Sequence, residues 1–266
     1  MRKIMFLGIA LIISFTAIAG SIAFFTDSVT VDDNVITAGS IDVEQYEQER
    51  VKNEDGAYVM NEDGTTHKLA QFSQKQNLYP CVIGTNKIPV QVGDHSVQMY
   101  DHTVQNFMDK IVTAQNVGSS PAYIRTFVAV PAAVDGHDWI HLERNDGIDA
   151  SEQAAWVWER PEALNDVEID GAKYDIYVAT YLPILPAGDT TPPSLLGFYM
   201  DGRISNDNDQ LVFVDENSVK HPIGDHPSLS ILVATEAAQT LPFTDANDAL
   251  TQTFGDVDTG HHPWVK

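Results

Sequence analysis

Lys110-Ile111-Val112-Thr113-Ala114-Gln115-Asn116-Val117, then Gly118-Ser119-Ser120-Pro121, then Ala122-Tyr123-Ile124-Arg125-Thr126-Phe127-Val128-Ala129-Val130 is the stretch from which the fold reads. The first segment alternates apolar and polar residues loosely. The last is rich in β-branched and aromatic side chains, which suit a pleated surface. Between them Gly, Ser and Pro cluster as a turn signal. The spacing predicts two antiparallel strands joined by a short turn. Moving outward, residues 174–181 read as a strand ended by Pro183 and Pro186, and residues 210–214 and 229–235 as two more. Residues 34–43 alternate beyond Gly39. Trp156-Val157-Trp158 fits a strand better than the end of a short helix over 151–156. One helix stands out over 245–254: Ala246, Leu250 and Phe254 share a face, Thr244 or Asp245 can cap it, and Gly255 closes it. Many strands, frequent Gly and Pro turns and one or two short helices predict an all-β antiparallel sandwich with loop insertions. No strand–helix alternation suggests a doubly wound sheet.

Asn53-Glu54-Asp55-Gly56 recurs as Asn61-Glu62-Asp63-Gly64. Each Asp-Gly is a hairpin-turn signal, so residues 44–70 read as an exposed acidic hairpin. Residues 131–173 read as an insertion, and residues 24–266 as a single domain.

The chain has 266 residues, 38 acidic and 15 basic, for a formal charge of −23. A nucleic-acid binder needs a basic footprint to displace counterions, and this chain has the opposite. One cysteine, Cys81, supports neither a disulfide framework nor a Cys-rich zinc site. The apolar fraction of 43% is too high for an acidic disordered chain.

Arg2 and Lys3 precede an uncharged run from Ile4 to Phe25, and Ser21-Ile22-Ala23 puts small residues where a signal peptidase cuts. Residues 1–23 therefore read as a secretory signal cleaved between Ala23 and Phe24. The alternative is an uncleaved anchor, since the run is long enough to span a bilayer. Contact with the membrane is expected only through the uncleaved precursor. Cleavage removes two positive charges, leaving a mature chain of −25 outside the cell.

Nine histidines invite a metal reading. His137 and His141 would share one face of a helix, as zinc ligands do, but Asp138 stands where a zinc peptidase carries its glutamate. Surface-loop histidines are the expectation there, a solvated tail for His261-His262, and bland turn positions for His221 and His226. Asn206-Asp207-Asn208-Asp209, Asp32-Asp33 and Asp256-Val257-Asp258 resemble parts of calcium loops without the glycine and bidentate glutamate. No cofactor is expected beyond weak calcium binding at such loops. Serine-nucleophile and phosphate-loop motifs are absent, and Cys81 reads as a small buried residue.

Ala23, Phe25 and Asp27, followed by Asn34, Thr37, Ala38, Gly39 and Asp42, form the pattern Ala-x-Phe-x-Asp…Asn-x-x-Thr-Ala-Gly-x-x-Asp. This resembles the TasA and camelysin family of exported proteins, which a dedicated signal peptidase processes. Residues 112–125, with Asn116-x-Gly118 and Ala122-Tyr123-x-Arg125, are similar to a hairpin of that family; residues 190–196 and 237–250 match loosely. The resemblance implies an extracellular jelly-roll sandwich. For fibre-forming members it implies a homopolymer of the biofilm matrix or cell surface, with matrix or surface components as further partners. There the mature N-terminal segment adds a strand to the next subunit. Residues 24–43 suit that role: Phe24 and Phe25 lead, and Val29 and Val31 are pocket-filling positions alternating with Ser28 and Thr30. Patterning leaves open whether this strand pairs within its own subunit or with another. Two further readings stand beside the structural one. One is a camelysin-like metallopeptidase using His137 and His141. The other is a monomeric adhesin or carbohydrate-binding module with Trp139, Trp156 or Trp158 stacking on sugars.

Overall fold

The computed structural model describes residues 39–73, 78–81, 87–100, 106–135, 139–145, 155–207, 210–224 and 230–264. In chain order the strands are β1 (Val43–Arg50), β2 (Leu69–Gln71), β3 (Pro80–Cys81), β4 (Lys87–Val92), β5 (His95–Tyr100), β6 (Met108–Asp109), β7 (Ile111–Asn116) and β8 (Ala122–Pro131). After a single helical turn, α1 (Ala132–Asp135), come β9 (Ile140–Arg144), β10 (Trp156–Glu159), β11 (Val167–Ile169), β12 (Ala172–Leu185) and β13 (Leu195–Asp201). Then follow β14 (Ile204–Asp207), β15 (Gln210–Val214), β16 (Lys220–Gly224), β17 (Leu232–Gln239) and the helix α2 (Ala246–Phe254). The fold is all-β.

One antiparallel sheet runs β10-β12-β8-β17, with β11 also on β12. The facing layer is built on β2-β1-β7. The chain entering β13 lines up against β7: Thr191 N–H donates to Ala114 and Ser194 N–H to Val112, both at 2.9 Å. β13 then pairs with β6 and β9. Val112 and Leu195 from this layer pack with Val128 and Val130 of β8. At the other end Ala114 packs with Ile124, Ala179 and Leu185.

The outer faces are covered as well. Helix α2 lies over Tyr123 and Ala238, and Val257 and Trp264 near the C-terminus lie over Phe127, Ile176 and Val178. The β4–β5 hairpin packs Val90, Val97 and Met99 against Ile111 and Tyr199. Nine of the ten residues of β8 are buried because it has cover on both sides, which accounts for its near-continuous apolar run.

The stretch 110–130 forms its two strands, but they do not pair with each other. β7 pairs with β1, and β8 with β12 and β17. The turn between them is an arch that carries the chain from one sheet to the other. Val117 and Gly118 N–H groups donate to the Asp42 carbonyl, and Ser119 and Ser120 N–H groups to that of Ser40. Gly118 is required there, since a Cβ would sit 2.5 Å from the Ser40 oxygen. A four-residue turn between two strands is common to hairpin and arch, so the spacing alone did not separate them.

Pro183 does not end its strand. β12 runs on to Leu185, with a register irregularity between Tyr181 and Leu185 that accommodates the proline. Within residues 131–173, read as an insertion, β9 pairs with β13, and β10 and β11 pair with β12. β1 and β2 pair with Arg50 opposite Leu69, and the two Asp-Gly turns have Gly56 and Gly64 at positive φ. Both turns are exposed, as expected, but Arg50 and His67 within the hairpin are buried. Arg50 donates from Nε and Nη2 to the two Asp109 carboxylate oxygens at 2.6 and 2.8 Å. Asp245 caps α2, its side chain accepting the Asp248 N–H at 2.9 Å.

Candidate functional site: an open sheet edge

β17 reads Leu232-Val233-Ala234-Thr235-Glu236-Ala237-Ala238-Gln239. Period-2 alternation turns Val233, Thr235 and Ala237 inward, opposite Val128, Thr126 and Ile124 of β8. Ala238 meets α2 on the outer face, while Glu236 lies opposite Arg125. Arg125 Nη2 donates to Glu236 Oε2 at 2.7 Å, and His261 Nε2 lies 2.7 Å from Glu236 Oε1. This buried pair pins the register, because a one-residue slip would put Thr235 or Ala237 opposite Arg125.

The other side of β17 has no strand partner among the described residues. Every second residue of such an edge turns its N–H and C=O away from its one neighbour, making a template for another strand. Instead the Gln45 side chain of β1 reaches across: Nε2 donates to the Val233 carbonyl at 3.4 Å, and Thr235 Oγ1 donates to Gln45 Oε1 at 2.8 Å. Buried Ile41, close to the first of the described residues, belongs to the same core cluster as Ala237 of β17.

The cleavage residues Ala23 and Phe24, and the strand residues Phe24, Phe25, Val29 and Val31, lie outside the described residues, as does His137. His141 lies on strand β9, not on a helix, so the helical spacing that would pair it with His137 does not apply. Its ring stacks on Tyr199 at 4.9 Å and its Nε2 lies 3.1 Å from Asp201 Oδ2. Hydrogen bonds from Arg203 hold the Asp201 carboxyl well below the usual carboxylate range. Among the described residues no group of three or more His, Cys, Asp or Glu is placed to hold a metal.

His261 and His262 are not a solvated tail. His261 is held by Glu236 and stacks on Phe254, while burial lowers the His262 pKa. Trp139 and Trp156 are buried in the core, so neither presents a face to a sugar; Trp158 packs against the same core. Asp207 of the calcium-like run pairs with Lys220 at 2.8 Å, and Asp256 Oδ1 caps its own turn by accepting the Asp258 N–H. His221 lies 2.9 Å from Asp215 Oδ2 on the surface, whereas His226 lies outside the described residues. Cys81 is buried, and burial raises its thiol pKa.

Gln45, Thr235 and the Arg125–Glu236 pair were not singled out in the sequence. The pair left one signal: a single charge inside each of two apolar strand runs, which a folded core accepts only when paired. Gln45 left none, being one polar residue in the polar run Glu44-Gln45-Tyr46-Glu47-Gln48-Glu49. No family model, curated protein or solved structure matches the chain.

Proposed function

We propose that this is a secreted structural protein of the cell surface or extracellular matrix that self-assembles by β-strand addition. In this reading residues 24–38 of one subunit pair with the β17 edge of another. The supporting observation is that edge: β17 has no second strand partner among the described residues, and Ile41, three residues after 38, shares a core cluster with its Ala237. Residues 24–38 are 15 in number. Extended, they reach roughly 50 Å at about 3.3 Å per residue, against roughly 26 Å for β17. They can therefore cover the edge and still cross to a neighbouring subunit. Main-chain bonds would supply affinity and alternate side chains specificity. The leader 1–23 and the motif around Gly39 favour export, and the anionic surface favours solubility before assembly.

Negative-stain microscopy of the chain beginning at Phe24, with and without residues 24–33, tests the proposal. Fibres are expected from the first and monomers from the second. Monomers from both, across a range of salt and pH, overturn it.

A further inference from the structure

The interior face of a sandwich is normally apolar, and at the seam between β1 and β17 it is not. Register against β7 puts Gln45 and Glu47 on the face of Ala114 and Val112, which line the core. Opposite them, Thr126 and Thr235 hold their hydroxyls 3.2 Å apart, with Thr126 fully buried. Gln45 Nε2 donates to Glu47 Oε1 at 3.0 Å as well as to the Val233 carbonyl, and Lys110 pairs with Glu47. The side-chain amide of Gln45 thus offers β17 one N–H and one C=O. An added strand offers an edge the same two groups from each peptide unit.

We infer that this seam is a binding site for an extended peptide and that Gln45 occupies it in the unassembled subunit. The inference deepens the strand-addition reading and rests on it. An entering strand takes the Val233 carbonyl for its own main-chain N–H, and the Gln45 side chain turns away. Because Thr126 and Thr235 line the seam, the ligand is an extended segment with hydroxyl or small polar side chains at its inward positions. Ser28 and Thr30 have that chemistry and that spacing. In this arrangement Ser28 and Thr30, rather than the pocket-filling Val29 and Val31 that the family resemblance implies, take the inward positions. The site disfavours an uninterrupted apolar strand, which would take from the Thr235 hydroxyl the acceptor that Gln45 supplies and leave it only the longer contact with Thr126. Occupation by Gln45 also blunts an edge otherwise exposed to indiscriminate pairing.

Fluorescence anisotropy with a labelled synthetic peptide of residues 24–37 tests this on the chain beginning at Phe24. Wild type, Gln45→Ala and Gln45→Asn are compared after circular dichroism shows that each is folded. The asparagine variant keeps the amide but is one methylene too short to bridge the seam. Both variants are expected to bind the peptide roughly three- to tenfold more tightly, because the neutral hydrogen bonds being displaced are each worth about tenfold or less. Unchanged or weaker binding by the folded variants overturns the role of Gln45 and leaves strand addition standing. Peptide bound by none of the three proteins while fibres still form overturns the seam as the site. No binding and no fibres remove both readings.

Discussion

A few buried polar residues hold this molecule in one arrangement. Arg50 is enclosed by β1, β5 and β6. Its guanidinium meets both Asp109 oxygens, the Tyr100 carbonyl and the Tyr58 hydroxyl, and lies 3.9 Å over the Tyr58 ring. An ion pair so buried adds little over an apolar replacement, but losing one partner leaves a charge in a poor solvent. Asp109→Ala is expected to lower stability by about 3–5 kcal/mol, read as a shift in the urea midpoint with an unchanged slope. A shift below 1 kcal/mol would mean that the site admits water. None of this was legible in advance, since Arg50 sits in the charged run Glu47-Gln48-Glu49-Arg50 that reads as solvated. Asp109 is 59 residues away in the chain, and sequence patterning carries no information about such pairs.

Among the elements, strand existence was far more legible than strand pairing. β7, β8, β12, β15 and α2 fall where periodicity and capping put them. The arch 117–120 did not, because its partner is the segment Ser40–Asp42 rather than a neighbouring strand. Two motifs far apart in the chain, Gly39-x-x-Asp42 and Asn116-x-Gly118, therefore meet as one unit. Asn116 adds to it by donating to the Ser120 and Leu185 carbonyls at 2.9 and 3.1 Å. Gly118→Ala would drive a methyl against the Ser40 carbonyl and the Asp42 N–H, two backbone groups with little room to yield. The expected cost is about 1–3 kcal/mol, as for other overpacked sites. Thermal unfolding would show it, along with loss of amide protection at Val117–Ser120. An unchanged melting temperature would mean that the arch can open without consequence.

For the whole molecule, charge and edge act against each other. Without residues 1–23 the chain would carry −25, while in the proposed assembly the open edge of β17 favours association. Like charges repel over about 10 Å at 0.1 M salt and about 3 Å at 1 M. Strand addition between such subunits is therefore expected to accelerate with salt. Light scattering of the chain beginning at Phe24 should show a lag that shortens several-fold between 0.01 and 0.5 M sodium chloride. A lag independent of salt would mean that the edge, and not the charge, limits assembly.

The sequence by itself determined the class of the molecule: all-β, acidic, with a leader-like N-terminus and a capped helix near the end. These follow from local causes such as period-2 patterning, turn residues, caps and composition, each written within a few residues of where it acts. Only the tertiary structure decided which strands are neighbours, that the hairpin of 110–130 is an arch, and that His261 and His262 pack against the fold. It also decided that β17 is left with Gln45 on its open side. A strand's two faces and two edges are filled by residues a hundred or more positions away, as Gln45 fills the edge at Val233 and Glu236 meets Arg125. Local sequence sets what a strand offers, and long-range packing sets which offer is taken.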